Sequence, residues 1–213
     1  MLTGFTWFVQ SSYLWTDGEL VVAIDPWRID REVIADAIFI THAHFDHYSP
    51  EDVERLRGRD TTVVAPHDIA RELRGNVTAV APGDVVRVAG MRAEAVPAYN
   101  AVEGRRDFHP RRNGWVGYLL DLNGATCYHA GDTDHVPELD AVRADVGFLP
   151  IGGTFTMGPD EAGGLARAIG PRVAVPMHYG FLVGSPSDAA RFRAAAAPVA
   201  VAELEPVHPF ERD

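Results

Sequence analysis

ADAIFITHAHFDHYSP (residues 35–50) joins an apolar run to three histidines and an aspartate, with His42, His44, Asp46 and His47 inside six positions. The run AIFITH (37–42) reads as a buried strand, so the polar cluster begins where that strand ends. In a tight turn after a strand, residues two apart can direct their side chains to one ion while their neighbours face a second. Imidazole nitrogen and carboxylate oxygen are donors that Zn²⁺ accepts. A lone histidine reads more simply as loop decoration or as a satisfied core residue. Three of the chain's nine histidines gathered here, with an aspartate spaced among them, point instead to metal binding.

Outward from this stretch the chain alternates short apolar strands with a few helices. Residues 6–18 and 19–27 read as the two arms of a hairpin turning at Asp17-Gly18, with Val21 to Ile24 as a buried strand that stops at Pro26. Ser49-Pro50-Glu51-Asp52 supplies an N-cap, a first-turn proline and two acids, which predicts a helix to about Leu56. Strands are expected over 61–66, 77–83, 85–90 and 91–99, with a helix over 67–75 ended by Gly75. Residues 101–113 read as irregular, and 114–132 as a hairpin turning at Asn123-Gly124. A strand at 145–151, a helix at 159–170, a strand at 172–180, a helix at 185–196 and a last strand at 199–206 complete the pattern. His42, Asp132 and His178 each close a strand, and strand ends facing one side are where loops converge to form sites.

Composition sets bounds on function. At 213 residues, with 46% hydrophobic and 23% charged residues, the chain suits one well-buried core, read as a single domain over 1–213. A formal charge of -11 opposes a nucleic-acid partner. The single cysteine, Cys127, excludes an internal disulfide framework, and no segment approaches the roughly 18 apolar residues a membrane helix needs. The first fifteen residues lack a basic leader pattern. These features read as a cytoplasmic chain with a small-molecule substrate and no membrane partner. They leave a homo-oligomer open.

Four further motifs accompany THAHFDH: AIDPW (23–27), YHAGDTD (128–134), PMHYG (176–180) and FLPIGGTFTMGPDEA (148–162). With VPAYN (96–100) and HPRRNGWVGY (109–118) they appear in an order that resembles the metallo-β-lactamase superfamily, in particular its small metal-dependent hydrolases of the ascorbate-phosphate-lactonase-like branch. The resemblance implies an α/β fold, a four-layered αββα sandwich of two mixed sheets flanked by helices, and a metal-dependent hydrolase with a dinuclear centre. Its cofactor would be two Zn²⁺ ions, with Mn²⁺ or Fe²⁺ as alternatives. His42 and His44 would bind one metal, Asp46, His47 and His178 the second, and Asp132 would bridge them. Where relatives carry another histidine for the first metal this chain has Tyr99 and Asn100, and His109 is the nearest imidazole that could take its place.

Asp46 and Asp132 are then the catalytic candidates, the first orienting the attacking water and the second fixing the spacing of the metals. Asp25, Thr41 and Thr133 could orient the imidazoles, although each could equally serve a turn. Arg105, Arg106, Arg111 and Arg112 surround His109, and a basic rim there would favour an anionic ester, lactone or phosphoester. Asn100, Arg111, Arg112, Thr156 and His135 are the substrate-contact candidates. An iron oxidoreductase of the same fold and an RNA-processing nuclease are the competing readings. The first is disfavoured by His44, where flavodiiron-type sites generally place glutamate, and the second by the acidic charge.

Overall fold

The computed structural model describes residues 1–211 and has two β-sheets stacked face to face. The first sheet takes its strands in chain order: β1 (Phe5–Val9), β2 (Ser12–Thr16), β3 (Val21–Ile24), β4 (Ala35–Phe39), β5 (Arg57–Pro66) and β6 (Val77–Val80). Helices α1 (Pro50–Leu56) and α2 (His67–Ala70) belong to this half. The second sheet is β7 (Val85–Val88), β8 (Met91–Pro97), β9 (Val116–Leu122), β10 (Ala125–His129), β11 (Val146–Pro150), β12 (Val173–Met177) and β13 (Ala200–Val201), again in chain order. Helices α3 (Pro159–Ile169) and α4 (Asp188–Ala196) pack on each other and against β11 and β12. The result is the expected α/β sandwich of two mixed sheets with helices outside.

Alternation along each strand explains the layering. On β4, Ala37 and Phe39 join the core between the sheets, while Ile38 joins a separate cluster with Val53 and Leu56 of α1 and Ile69 of α2. A strand buried on both faces therefore reads as a continuous apolar run, which is why AIFI shows no polar alternation. Aromatic rings fill the space between the sheets: Phe148 lies 4.9 Å from Tyr13, and Phe39 lies 5.1 Å from Tyr118. The Tyr118 hydroxyl donates to the Ile40 carbonyl at 2.8 Å, so one buried phenol fastens the second sheet to the end of β4.

Both sheets pair antiparallel in their first half and parallel in their second. β3, β4, β5 and β6 run parallel, as do β10, β11, β12 and β13. The carboxyl ends of β4, β10 and β12 then deliver Thr41-His42, Gly131-Asp132 and His178 to one edge of the sandwich.

Most expected elements recur with shifted ends. Ser49 caps α1 by accepting from the Asp52 N–H at 3.2 Å. Asn123 and Gly124 both have positive φ, 49° and 77°, the type I′ combination that suits the twist of a tight hairpin. Three expectations need correction. Residues 6–18 are not one arm but two strands, broken at Gln10-Ser11 where Gln10 adopts φ 50°. The helix expected over 67–75 is a single turn without a side-chain cap, too short to hold itself once its first turn ends. The strand expected over 199–206 spans only Ala200–Val201, after which the chain crosses to the first sheet. There the N–H groups of Val207 and His208 donate to the carbonyls of Trp7 and Phe8 at 2.8 and 3.0 Å.

Candidate metal centre

The loop after β4 is shaped by a buried carboxylate. Asp25, fully buried at the end of β3, accepts from the Thr41 N–H, the Thr41 hydroxyl and His47 Nδ1, each at 2.7 Å. It sits at φ 47°, a left-handed conformation that aspartate tolerates better than most side chains. Having donated its proton to Asp25, the Thr41 hydroxyl accepts from His42 Nδ1 at 3.0 Å. These bonds fix the tautomers of His42 and His47, so that both present Nε2 to the interior.

His109 is oriented in the same way from the far side. Its Nδ1 donates to Asn100 Oδ1 at 2.7 Å, and Asn100 Nδ2 donates to Asp134 Oδ1 at 2.8 Å. Asp134 also accepts from the Ala101 and Val102 N–H groups at 2.8 Å each, and pairs with Arg105 at 2.8 Å. His178 follows β12 at φ 57°, strained for a ring-bearing residue, and its N–H donates to the Gln10 carbonyl at 3.0 Å.

Two groups of donors result. His42, His44, His109 and Asp132 offer atoms within 4.8 Å of one another, and so do Asp46, His47 and His178. Asp132 stands between them. Its Oδ2 lies 3.3 Å from His109 Nε2 and 3.3 Å from His178 Nε2, while its Oδ1 lies 3.3 Å from His47 Nε2. His178 Nε2 also lies 3.2 Å from Asp46 Oδ2.

Burial makes this arrangement expensive without cations. His47 Nε2, His109 Nε2 and Asp132 Oδ1 are buried with no hydrogen-bond partner among the described residues, and an unsatisfied buried polar group costs about 1–3 kcal/mol. All three converge on one region, and the donor set there is five imidazoles and two carboxylates. The residues therefore fit metal ions with nitrogen and oxygen preferences.

The electrostatics agree. Burial holds His42 well below the ordinary imidazole value, with the His47 ring adding to the effect. Burial, reinforced by His109, lowers His44 to about 4. For Asp132 burial pulls upward, but the His178 and His47 imidazoles outweigh it and keep the carboxyl well below its usual range. Asp46 shows the same contest, burial against His47 and His178, and settles at about 2. His47 moves the other way: burial lowers it, but Asp132, Asp25 and Asp46 together raise it well above its ordinary value.

A pocket of about 360 Å³ opens over the donors, lined by His44, Asp46, Asp132 and His178 and by Phe45, Phe108, Phe155, Leu182 and Val183. None of the five expected substrate contacts lines it. Asn100 is buried against His109 and Asp134. His135 Nε2 pairs with Asp140 at 2.7 Å, and Thr156 is buried with its hydroxyl toward the Met157 carbonyl. Arg111 pairs with Glu138 at 2.7 Å and lies over the Tyr99 ring, beside Arg112 in a separate depression. Charge in the sequence marked these arginines, and a surface acid, Glu138, claims Arg111.

Of the three imidazole-orienting candidates, Asp25 and Thr41 touch histidines, whereas Thr133 ties the Tyr99 backbone to its own strand end. Sequence reasoning missed Gln10, whose Nε2 donates to Asp46 Oδ2 at 3.4 Å, and Asp134 behind His109. It also missed Trp115, whose ring lies 5.0 Å from His42 and 5.1 Å from His44 while its Nε1 donates to Asp68. Only the nearness of Asp134 to Asp132 carried any signal.

The family model described as the beta-lactamase superfamily domain matches residues 4–178, a span that contains all seven donors. The chain belongs to the metallo-β-lactamase superfamily. Within it, the chain falls among the small metal-dependent hydrolases. A UPF0173 metal-dependent hydrolase of Methanopyrus kandleri is 31% identical over 228 residues, covering 97% of this chain and 99% of the relative. One of Thermococcus onnurineus is 34% identical over 70% of this chain and 69% of its own length. Among solved structures, a candidate metal-dependent hydrolase of Parabacteroides distasonis superposes with a TM-score of 0.84 at 30% identity, covering 95% of this chain and 92% of that one. CmlA, a diiron β-hydroxylase of Streptomyces venezuelae, shares the fold at a TM-score of 0.75 and 15% identity over 95% of this chain and 52% of its own.

Proposed function

We propose that this metallo-β-lactamase-fold protein is a hydrolase with a dinuclear, zinc-type centre that directs water against a small ester, lactone or phosphoester. The observation that carries the proposal is the Asp132 carboxylate set between two histidine-rich donor groups, within 3.3 Å of a nitrogen from each. His42, His44 and His109 would hold one ion, Asp46, His47 and His178 the other, and Asp132 both. A bound pair of such cations supplies an acidified water and an electrophile for the scissile group.

The chain's own residues do the rest. Asp46, ionised at neutral pH and lining the pocket, accepts a hydrogen bond from the attacking water and orients it. Gln10 holds that carboxylate in place by donating to its Oδ2. Asp25 and Asn100 keep the imidazoles from rotating, which fixes the donor geometry before substrate arrives. Phe45, Phe108 and Phe155 thin the water around the reacting group. Among the described residues no helix is long and apolar enough to cross a membrane. The lone buried thiol of Cys127 suits a reducing compartment, here taken as the cytoplasm.

Metal analysis of protein reconstituted separately with Zn²⁺, Mn²⁺ and Fe²⁺, paired with hydrolysis of chromogenic esters and diesters, tests the proposal. Two ions per chain and metal-dependent hydrolysis are expected. One ion or none at saturation, or iron-dependent oxidation without hydrolysis, refutes it.

A further inference from the structure

Phe45 and Phe108 are each next in the chain to a metal-donor candidate, yet they are 65% and 40% exposed. Phe45 stands between His44 and Asp46 with its ring 5.6 Å from Trp27, edge to face. Phe108 precedes His109 and meets Phe155 edge to face at 4.7 Å. With Leu182 and Val183 they form a wall of five carbon side chains above His44, Asp46, Asp132 and His178. None of the five can donate or accept a hydrogen bond, and no arginine or lysine lines the pocket.

Three of the four arginines around His109 are committed elsewhere, and the fourth, Arg112, lines a separate depression. Arg105 bonds the Thr156 carbonyl and Glu161 at 2.6 Å each and pairs with Asp134 at 2.8 Å. Arg106 bonds the Ala101 carbonyl at 2.7 Å, and Arg111 is held by Glu138 and Tyr99. An anionic group on the substrate side of the pocket would meet five apolar walls and no counter-charge from protein. An uncharged alkyl or aryl group would cover rings that now face water.

We propose that the substrate is a neutral carboxylic ester or lactone whose apolar acyl group sits against Phe45, Phe108 and Phe155. The assignment rests on the hydrolase reading above and narrows it, and about 360 Å³ is the scale of a small-ligand pocket.

Two measurements on the Zn²⁺-loaded protein test it. The first is kcat/KM for p-nitrophenyl acetate, propionate, butyrate and hexanoate, beside the anionic succinate half-ester and bis(p-nitrophenyl) phosphate. The second is the Kd of the matching straight-chain hydroxamates, which needs no turnover. Each added methylene up to butyrate is expected to raise kcat/KM and tighten Kd about fourfold. The anionic substrates should lag behind butyrate. Phe155→Ala and Phe108→Ala, shown folded by circular dichroism, should flatten both series, and Phe155→Lys should favour the succinate half-ester. Graded hydroxamate binding without hydrolysis keeps this pocket assignment and removes the hydrolase reading instead. Flat series in both measurements overturn the assignment, as does faster turnover of the anionic substrates. So does a Phe45→Ser, Phe108→Ser double variant that changes only the molecular mass in solution, since the rings would then belong to an interface between copies.

Discussion

Replacing Asp25 by asparagine isolates what one buried charge does for the candidate metal centre. The backbone there is left-handed at φ 47°, and asparagine is among the few residues that adopt that conformation readily, so the main chain has no reason to move. The carboxylate accepts three hydrogen bonds at 2.7 Å, and an amide cannot replace all of them. With its oxygen toward His47 and the Thr41 hydroxyl, its NH₂ opposes the Thr41 N–H, donor against donor. With the amide reversed, NH₂ faces His47 Nδ1 and drives the ring proton to Nε2, the nitrogen that points at Asp132. Either outcome removes a charge-assisted hydrogen bond in a fully buried place, about 1.5–3 kcal/mol of stability. Losing the partner that orients a ligating imidazole typically weakens metal binding 10- to 100-fold, about 1.4–2.8 kcal/mol. Competition with a chromogenic chelator gives the affinity, and denaturant unfolding of the metal-free protein gives the stability. A variant that binds Zn²⁺ within twofold of the parent while losing no stability would refute the reasoning, because the charge would then set neither tautomer nor fold.

His109→Ala should lower bound Zn²⁺ from two ions per chain toward one while leaving the second group intact, as elemental analysis after dialysis will show; unchanged stoichiometry removes His109 from the site. Metal binding should release about one to two protons near pH 7, read from the buffer dependence of calorimetric heats, because burial opposes but Asp132, Asp25 and Asp46 impose a proton on His47, and Asp132 and Asp46 do the same for His178. Affinity should therefore fall between pH 8 and pH 6. In the metal-free protein, the raised His47 adds stability that is complete below about pH 6.5 and is lost as pH rises through its higher folded value. The lowered Asp46 adds stability that is present above about pH 4 and is lost as pH falls toward about 2. Cys127, whose thiol burial and then Asp145 push up to about 12, should resist iodoacetamide at pH 8 until guanidinium unfolds the chain. Labelling of the native protein would contradict its place in the core.

Much of this architecture was legible locally. Apolar runs of four to six residues, the Ser49-Pro50 cap and the Asn123-Gly124 turn are decided by neighbours in the chain, and the structure reproduces them with shifted ends. The donors within 42–47 were legible for the same reason, since His42, His44, Asp46 and His47 share one turn whatever the rest of the chain does. The failures have a common cause as well. Arg105 and Arg111 looked like part of a substrate rim because sequence shows charge but not its partner, and Glu138, Glu161 and Asp134 lie 27 or more positions from the arginine each one pairs with. Gln10 carried no signal because its role depends on a left-handed turn that brings it to Asp46, 36 positions later.

The sequence by itself determined the element order, the layered α/β class and the chemistry of the donors, because strand periodicity, capping and side-chain donor type act over a few residues. Only the tertiary structure decided that the seven donors gather into two groups, each within 4.8 Å, that Asn100 braces His109, and that the pocket wall is aromatic rather than basic. Those outcomes depend on the parallel registers of β3 to β5 and β10 to β12, which carry residues 90 and 136 positions from His42 to within 4 Å of one another. Such pairings are set by burial of the two sheets against each other, a property of the whole chain rather than of any stretch within it.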